Sequence, residues 1–249
     1  MPADVAIYLI FLSFISGTAT FIGAFIGTKL NYGYKAIVFG ASFSAMIMVL
    51  ISVLELLPES VNKVGWGVAF MALLSGVLII GFLDFRFPNV HSVKEVQDCQ
   101  EKSLVKISYF LALGLILHDF PEGLAIPSSY LISPSTGLVV IAASFIHNIP
   151  EGYALSVASC AYRTKKFFYK ASFFSGLATM LGTILGILFL GQFASLGPLF
   201  TAFAAGVMIY LSFDELLPLA LKSRLTNQIL AGLVLGITAY TGIHLIFAH

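Results

Sequence analysis

Apolar residues in this chain come in long unbroken runs rather than in the periodic stripes of a water-facing helix. Eight runs stand out, at approximately 5–28, 36–57, 64–83, 104–127, 137–160, 171–191, 196–219 and 227–247. Roughly 20 apolar residues suffice for a helix to cross a bilayer, so each run predicts a transmembrane helix. Little chain remains between them. The one polar segment of any length, "DFRFPNVHSVKEVQDCQEKS" at 84–103, mixes both charges with Pro and Asn and predicts a solvated loop after the third span. The pattern predicts an all-α polytopic membrane protein, with residues 1–249 forming a single transmembrane domain. The opening "MPADVAIYLIFLSF" has no basic leader, and its apolar run is longer than that of a signal peptide, so it reads as the first span.

Composition agrees. The chain is 59% hydrophobic and only 10% charged, against about a quarter charged in soluble domains, a deficit too large for a buried core to explain. Charge placement adds orientation, because basic residues concentrate in cytoplasmic loops. Lys29 and Lys35 follow span one; Arg86, Lys94, Lys102 and Lys106 follow span three. Arg163, Lys165, Lys166 and Lys170 follow span five, and Lys222 and Arg224 follow span seven. Of thirteen basic residues only Lys63 falls on the other side. An even number of spans with both termini outside the cytoplasm accounts for this. Cys99 and Cys160 then lie on the cytoplasmic side, where disulfides are rare. The net charge of +1 without a basic cluster gives no indication of a nucleic-acid partner.

Against this background, spans four and five carry polar residues that each cost something in an oily helix. "LILHDFPEGLAIP" (115–127) and "FIHNIPEGYAL" (145–155) both contain H-x-x-P-E-G, at 118–123 and 147–152. Residues four apart share a helix face, so His118 lies with Glu122 and His147 with Glu151. Imidazole nitrogen and carboxylate oxygen are the donors that Zn²⁺ and its first-row neighbours take. Successive spans run antiparallel, so the two faces can surround one point with four donors. Asp119 and Asn148 follow each His and could serve a second metal or hydrogen-bond the first ligands. Pro121 and Pro150 predict kinks that free the carbonyls of Leu117 and Ile146, tolerable in hydrocarbon only inside protein or beside a wet cavity. Gly123 and Gly152 admit a close neighbouring helix. One intramembrane His–Glu pair serves as readily as a helix–helix hydrogen bond. Two copies at equivalent depth favour function, since ionisable groups there are expensive.

A second repeat aligns "AMIMVLISVLELLP" (45–58) with "AGVMIYLSFDELLP" (205–218), with seven identities in fourteen positions. Both segments are expected to end at the outer face, leaving Glu55, Asp214 and Glu215 near the outer ends of their helices, where they could attract cations at an entrance or equally be solvated at the interface. Met48 is a further candidate metal ligand, as a thioether, against its ordinary reading as packing; the case for Met208 is weaker. His244 reads as a packed or interfacial residue. His91, Asp98 and Cys99 make a weak cytoplasmic metal cluster.

With eight spans, "HDFPEG", "HNIPEG", "SVLELLPES" and "LSFDELLP", the chain resembles the ZIP family of divalent metal transporters over essentially its whole length, most of all the compact bacterial and archaeal zinc-uptake branch. The resemblance implies transport of Zn²⁺, and often Fe²⁺, Mn²⁺, Co²⁺ or Cd²⁺, across the cell membrane toward the cytoplasm. The metal is then cargo, not a cofactor. It also implies a site between spans four and five, movement of one helix bundle against another, and a homodimer in the lipid bilayer. Carried over by position, the ligands are His118, Glu122, His147 and Glu151, with Asp119 and Asn148 at an adjoining second site. Many members have Asn where this chain has Asp119 and an acid in span six where it has Thr179. Either Asp119 restores the second metal's charge, or that site is lost and Asp119 tunes selectivity. The rival function is an intramembrane metal-dependent hydrolase, which would activate water at a bound ion; the chain lacks H-E-x-x-H.

Overall fold

A computed structural model describes residues 1–29, 33–86, 101–157 and 165–247. The centre of the expected polar loop, with His91, Asp98 and Cys99, lies outside the described residues, as does Cys160. Among the described residues every regular element is helical: α1 (Ala3–Lys29), α2 (Tyr34–Ile51), α3 (Leu57–Arg86), α4 (Glu101–Ile132), α5 (Pro134–Val157), α6 (Lys165–Gln192), α7 (Gly197–Leu211), α8 (Leu217–Leu221) and α9 (Thr226–Phe247). A π-helical turn, Ser52–Leu56, joins α2 to α3, and a second, Ser212–Leu216, joins α7 to α8.

Six helical runs among the described residues are long and apolar enough to cross a membrane. One of them, Tyr34–Arg86, is 53 residues long and contains both the second and the third expected spans. It breaks at Gly65, where φ of 78° and ψ of 163° leave helical space in a region that favours glycine. The fourth expected span falls inside α4.

The helices pack in two groups. α1 lies along α5 and α6, and α4 lies along α6; in the other group α3 lies along α7, and α2 along α9. α4 and α5 bridge the groups, touching α7 and α2 respectively. Contacts give the directions. Asp119 meets Ser175 and Pro127 meets Gly186, so α4 and α6 run parallel. Gly17 abuts Gly176 while Thr28 meets Tyr169 (2.7 Å between hydroxyls), so α1 and α6 run antiparallel.

The chain is internally duplicated beyond the two matches noted above. "SFISGTATFIGAFIG" (13–27) in α1 matches "SFFSGLATMLGTILG" (172–186) in α6 at eight of fifteen positions. These helices cross at the matched glycines: a Cβ on Gly17 would sit 2.4 Å from the Gly176 carbonyl, and one on Gly176 would sit 2.4 Å from the Gly17 carbonyl. The α4 and α5 glycines follow the same symmetry, Gly123 against the Thr179 backbone and Gly152 against that of Thr20. Small residues of this kind let membrane helices approach to backbone contact.

The "ELLP" repeat obeys the symmetry too. In each copy the proline (Pro58, Pro218) has no N–H for the carbonyl four residues back, and the preceding turn widens to π geometry. Leu57 N–H reaches Ser52 O, and Leu217 N–H reaches Ser212 O. The serines match as well: Ser52 and Ser212 each donate, at 2.8 Å, to the carbonyl of Met48 and Met208. The expectation that both copies end at one face is corrected. Glu55 sits by the C-terminal end of α9, bonded to Tyr240 and His244. The other copy ends by the start of α2, where Leu216 and Ala220 pack with Val38 and Ala41. The repeats are inverted because α2 and α7 run in opposite directions.

If the α1–α6 crossing organises this symmetry, Gly17→Ala and Gly176→Ala should each cost about 1–3 kcal/mol, the usual penalty of overpacking. Gly67→Ala, with nothing within 4 Å of its built Cβ, should match the parent. Size-exclusion profiles of detergent-solubilised protein after a temperature series read the difference; equal melting of Gly17→Ala and Gly67→Ala would contradict it.

Candidate metal centre

α4 and α5 are antiparallel neighbours joined at Ser133, whose hydroxyl accepts the Thr136 N–H at 3.4 Å at the start of α5. The H-x-x-P-E-G segments meet partway along this pair, with Pro121 and Pro150 inside the helices. The i, i+4 spacing puts His118 and Glu122 on one face of α4, with 3.4 Å between Nε2 and Oε2. Across the gap, His147 Nε2 lies 3.1 Å from Glu122 Oε2, and His118 Nε2 lies 3.5 Å from Glu151 Oε2. The two imidazole rings stand 5.9 Å apart at 70°. Each helix thus offers its carboxylate to the other helix's imidazole, as two inverted copies of one motif must.

All four side chains are buried. Ionisable groups at such a depth are costly unless they pair or hold an ion, and internal bonding does not use up their capacity. Glu122 Oε1, both Glu151 oxygens, His118 Nε2 and His147 Nδ1 have no hydrogen-bond partner; the two His118 contacts are ion-pair approaches only. Ligand atoms of His118, His147 and Glu151 lie within 4.8 Å of one another, as do those of His118, Asp119 and Glu122. Two nitrogens and several carboxylate oxygens, converging with lone pairs unspent, form a donor set suited to Zn²⁺ and similar borderline cations.

Asp119 is fully buried and takes a hydrogen bond from the Ser175 hydroxyl of α6, while its other oxygen has no partner. Asn148, its mate on α5, is fully buried with neither amide atom bonded. The Thr179 hydroxyl is likewise buried and unpartnered. The structure therefore brings Asp119 into the ligand group of His118 and Glu122. Met48 is fully buried in the apolar core that also contains Met208, one turn past Ser44.

Several residues around the site escaped the sequence reading. Ser44 of α2 donates to the His147 carbonyl at 2.9 Å, and Pro150 fits over Gly40, so α2 braces α5 on both sides of the ligand turn. Ser16, Thr20 and Ser175, from the duplicated serine–glycine stretch, add buried hydroxyls on α1 and α6. Comparing α1 with α6 would have revealed them. Glu55 departs from one of its two readings, the solvated helix end. Rather than being solvated it is 7% exposed, its Oε1 accepting from Tyr240 at 2.8 Å and lying 2.6 Å from His244 Nδ1.

A family model described as ZIP Zinc transporter matches residues 89–246. Among curated relatives, the zinc transporter ZupT of Oceanobacillus iheyensis is 35% identical over 251 aligned residues, covering 90% of this chain and 92% of the relative. The ZupT of Chlorobium limicola is also 35% identical, with the same shares covered, and that of Stenotrophomonas maltophilia is 34% identical over 89% of this chain and 88% of its own. With the paired hexapeptides and the all-helical fold, these matches are decisive: the chain belongs to the ZIP zinc transporter family.

Proposed function

We propose that this chain carries divalent cations, chiefly Zn²⁺ with Fe²⁺, Mn²⁺, Co²⁺ or Cd²⁺ as further substrates, into the cytoplasm through the His–Glu site between α4 and α5. The observation that carries the reading is the cross-helix pairing of His147 with Glu122 and of His118 with Glu151, buried and with spare lone pairs. Membership in a transporter family sets the hydrolase alternative aside, and the metal is cargo rather than cofactor.

The protein is a multi-pass helical protein of the cell membrane, and we assign it eight crossings with both termini outside, the whole chain acting as one transport domain. The helix directions support that count: α4 with α6, and α2 with α9, run parallel, whereas α4 with α5, and α1 with α6, run antiparallel, as alternate crossings require. Pro121 and Pro150 would kink α4 and α5 beside the ligands. The protein would function as a homodimer in the bilayer.

A hydrated ion arriving from outside exchanges water for His118, His147, Glu122 and Glu151. The two carboxylates balance its charge, which makes loss of water tolerable in a low dielectric. When the ion leaves, the same side chains approach each other as imidazole–carboxylate pairs, His147 with Glu122 and His118 with Glu151, which offsets part of the cost of burying them. This partial compensation lets the site cross between faces empty as well as loaded. The group α1, α4, α5 and α6 would move as a body against α2, α3, α7 and α9, and opening toward the cytoplasm would release the ion. Asp119 extends the carboxylate set on the α6 side, where Thr179 offers no charge. Met48 would be at most an auxiliary ligand.

In proteoliposomes, initial ⁶⁵Zn²⁺ uptake should saturate and be inhibited by Fe²⁺, Mn²⁺ or Cd²⁺. Glu151→Ala or His147→Ala should lower it at least about tenfold, the scale seen on loss of even indirect metal partners, with unchanged elution of the purified protein. Equal uptake by Glu151→Ala would contradict the site. Asp119→Asn keeps an oxygen to accept the Ser175 hydroxyl, so it should fold normally yet bind less zinc per chain in equilibrium dialysis. An unchanged metal count would show that Asp119 is not a ligand.

A further inference from the structure

Glu55 is a buried carboxylate far from the transport site. It lies eleven residues past Ser44, about 16 Å along α2 at 1.5 Å per residue. Its oxygen Oε1 is 2.6 Å from His244 Nδ1 and accepts the Tyr240 phenol, and the His244 side chain is 46% exposed. Glu55 belongs to the π-helical turn Ser52–Leu56, an irregularity that often marks functional positions. A carboxylate and an imidazole in ion-pair contact, with one of them open to the outside, repeat the chemistry of the transport site on a smaller scale.

The inverted repeat supplies a second, independent observation. The offset that pairs Glu55 with Glu215 also pairs His244 with Asp84. At the opposite end of the molecule Asp84, the mate of His244, is buried and accepts the Tyr210 phenol at 3.3 Å, whereas at this end the phenol of Tyr240 bonds Glu55. Both ends therefore carry metal-capable side chains at the same two related positions, each with a tyrosine phenol on one carboxylate. The charge at the outer end suits a cation: with the topology above, Asp4, Glu55 and Glu59 face Lys63 alone among basic side chains, a balance that draws cations to the mouth.

We propose that Glu55 and His244 form an outer capture station for a partly hydrated divalent cation of the Zn²⁺ class. The ion lies between the Glu55 carboxylate and His244 Nδ1. The ion takes the place of the proton shared between Nδ1 and Glu55, and that proton passes to Nε2 or to water on the open side. Two protein ligands and retained water hold the ion more weakly than the four-ligand centre does, so it can pass inward. The role of the station in uptake rests on the transport reading, whereas its binding does not.

The test is zinc binding by equilibrium dialysis, with the protein in lipid nanodiscs and Glu151→Ala present to weaken the transport site. A class of weak zinc binding is expected that His244→Ala and Glu55→Gln each remove, and that His244→Asp retains, since aspartate is the residue at the mate position 84. Any zinc held by His91 or Cys99 is common to all variants and cancels. The proposal is overturned if the weak class is absent, if it survives His244→Ala, or if His244→Asp loses it with melting unchanged. In the otherwise unaltered chain, His244→Ala should raise the KM for zinc uptake at least threefold while leaving the maximal rate within twofold. Failure of the transport reading would instead appear as Glu151-independent flux.

Discussion

Two carboxylates held out of water beside two imidazoles are the constraint on which the rest of this molecule depends. In lipid, Glu122 and Glu151 cannot sit alone, because an uncompensated charge at that depth is among the most expensive features a helix can carry. Each is matched by an imidazole on the opposite helix, His147 at 3.1 Å and His118 at 3.5 Å. That pairing requires α4 and α5 to run antiparallel, in register and close. The small residues around them follow: Gly123 and Gly152 meet the α6 and α1 backbones, and Gly40 receives Pro150. A bulkier residue at any of these points would push α4 or α5 off the neighbouring helix that positions it.

The inverted duplication explains how a short chain achieves this. One H-x-x-P-E-G helix provides a His–Glu face; its antiparallel copy provides the complementary face without new design. The flanking helices obey the same rule, with Gly17 on Gly176 at the crossing and π-helical turns at Ser52–Leu56 and Ser212–Leu216. Where the halves differ, chemistry differs. Asp119 has a Ser175 hydroxyl, whereas Asn148 finds no partner, so the walls beside the ligands are unequally charged. His244 and Asp84 are another such pair, an imidazole at one end of the molecule and a carboxylate at the other.

Much of this was legible in the residues. Long apolar runs marked the membrane helices, and the spacing of His118, Glu122, His147 and Glu151 told which side chains share a face. What was missed is instructive. The α1–α6 duplication is carried by serines, threonines and glycines, which are ordinary in membrane helices and announce nothing until the two stretches are laid side by side. Glu55 read equally as an entrance acid or a solvated helix end because its partners, Tyr240 and His244, are nearly two hundred residues away in the chain. The opposite placement of the two "ELLP" segments was obscured for a similar reason: local likeness says nothing about direction, which only tertiary contacts such as those of Ala220 with Val38 reveal. Ser44, bonding a backbone carbonyl at His147, carries no sequence signal at all.

The most direct test of the central claim is a crystal structure of the zinc-soaked protein, measured on both sides of the zinc absorption edge. An anomalous peak is expected between α4 and α5, at roughly 2.0–2.2 Å from an imidazole nitrogen and from carboxylate oxygens of the paired hexapeptides, as zinc coordination requires. A fully loaded protein with no peak there, its zinc bound only elsewhere, would contradict the account.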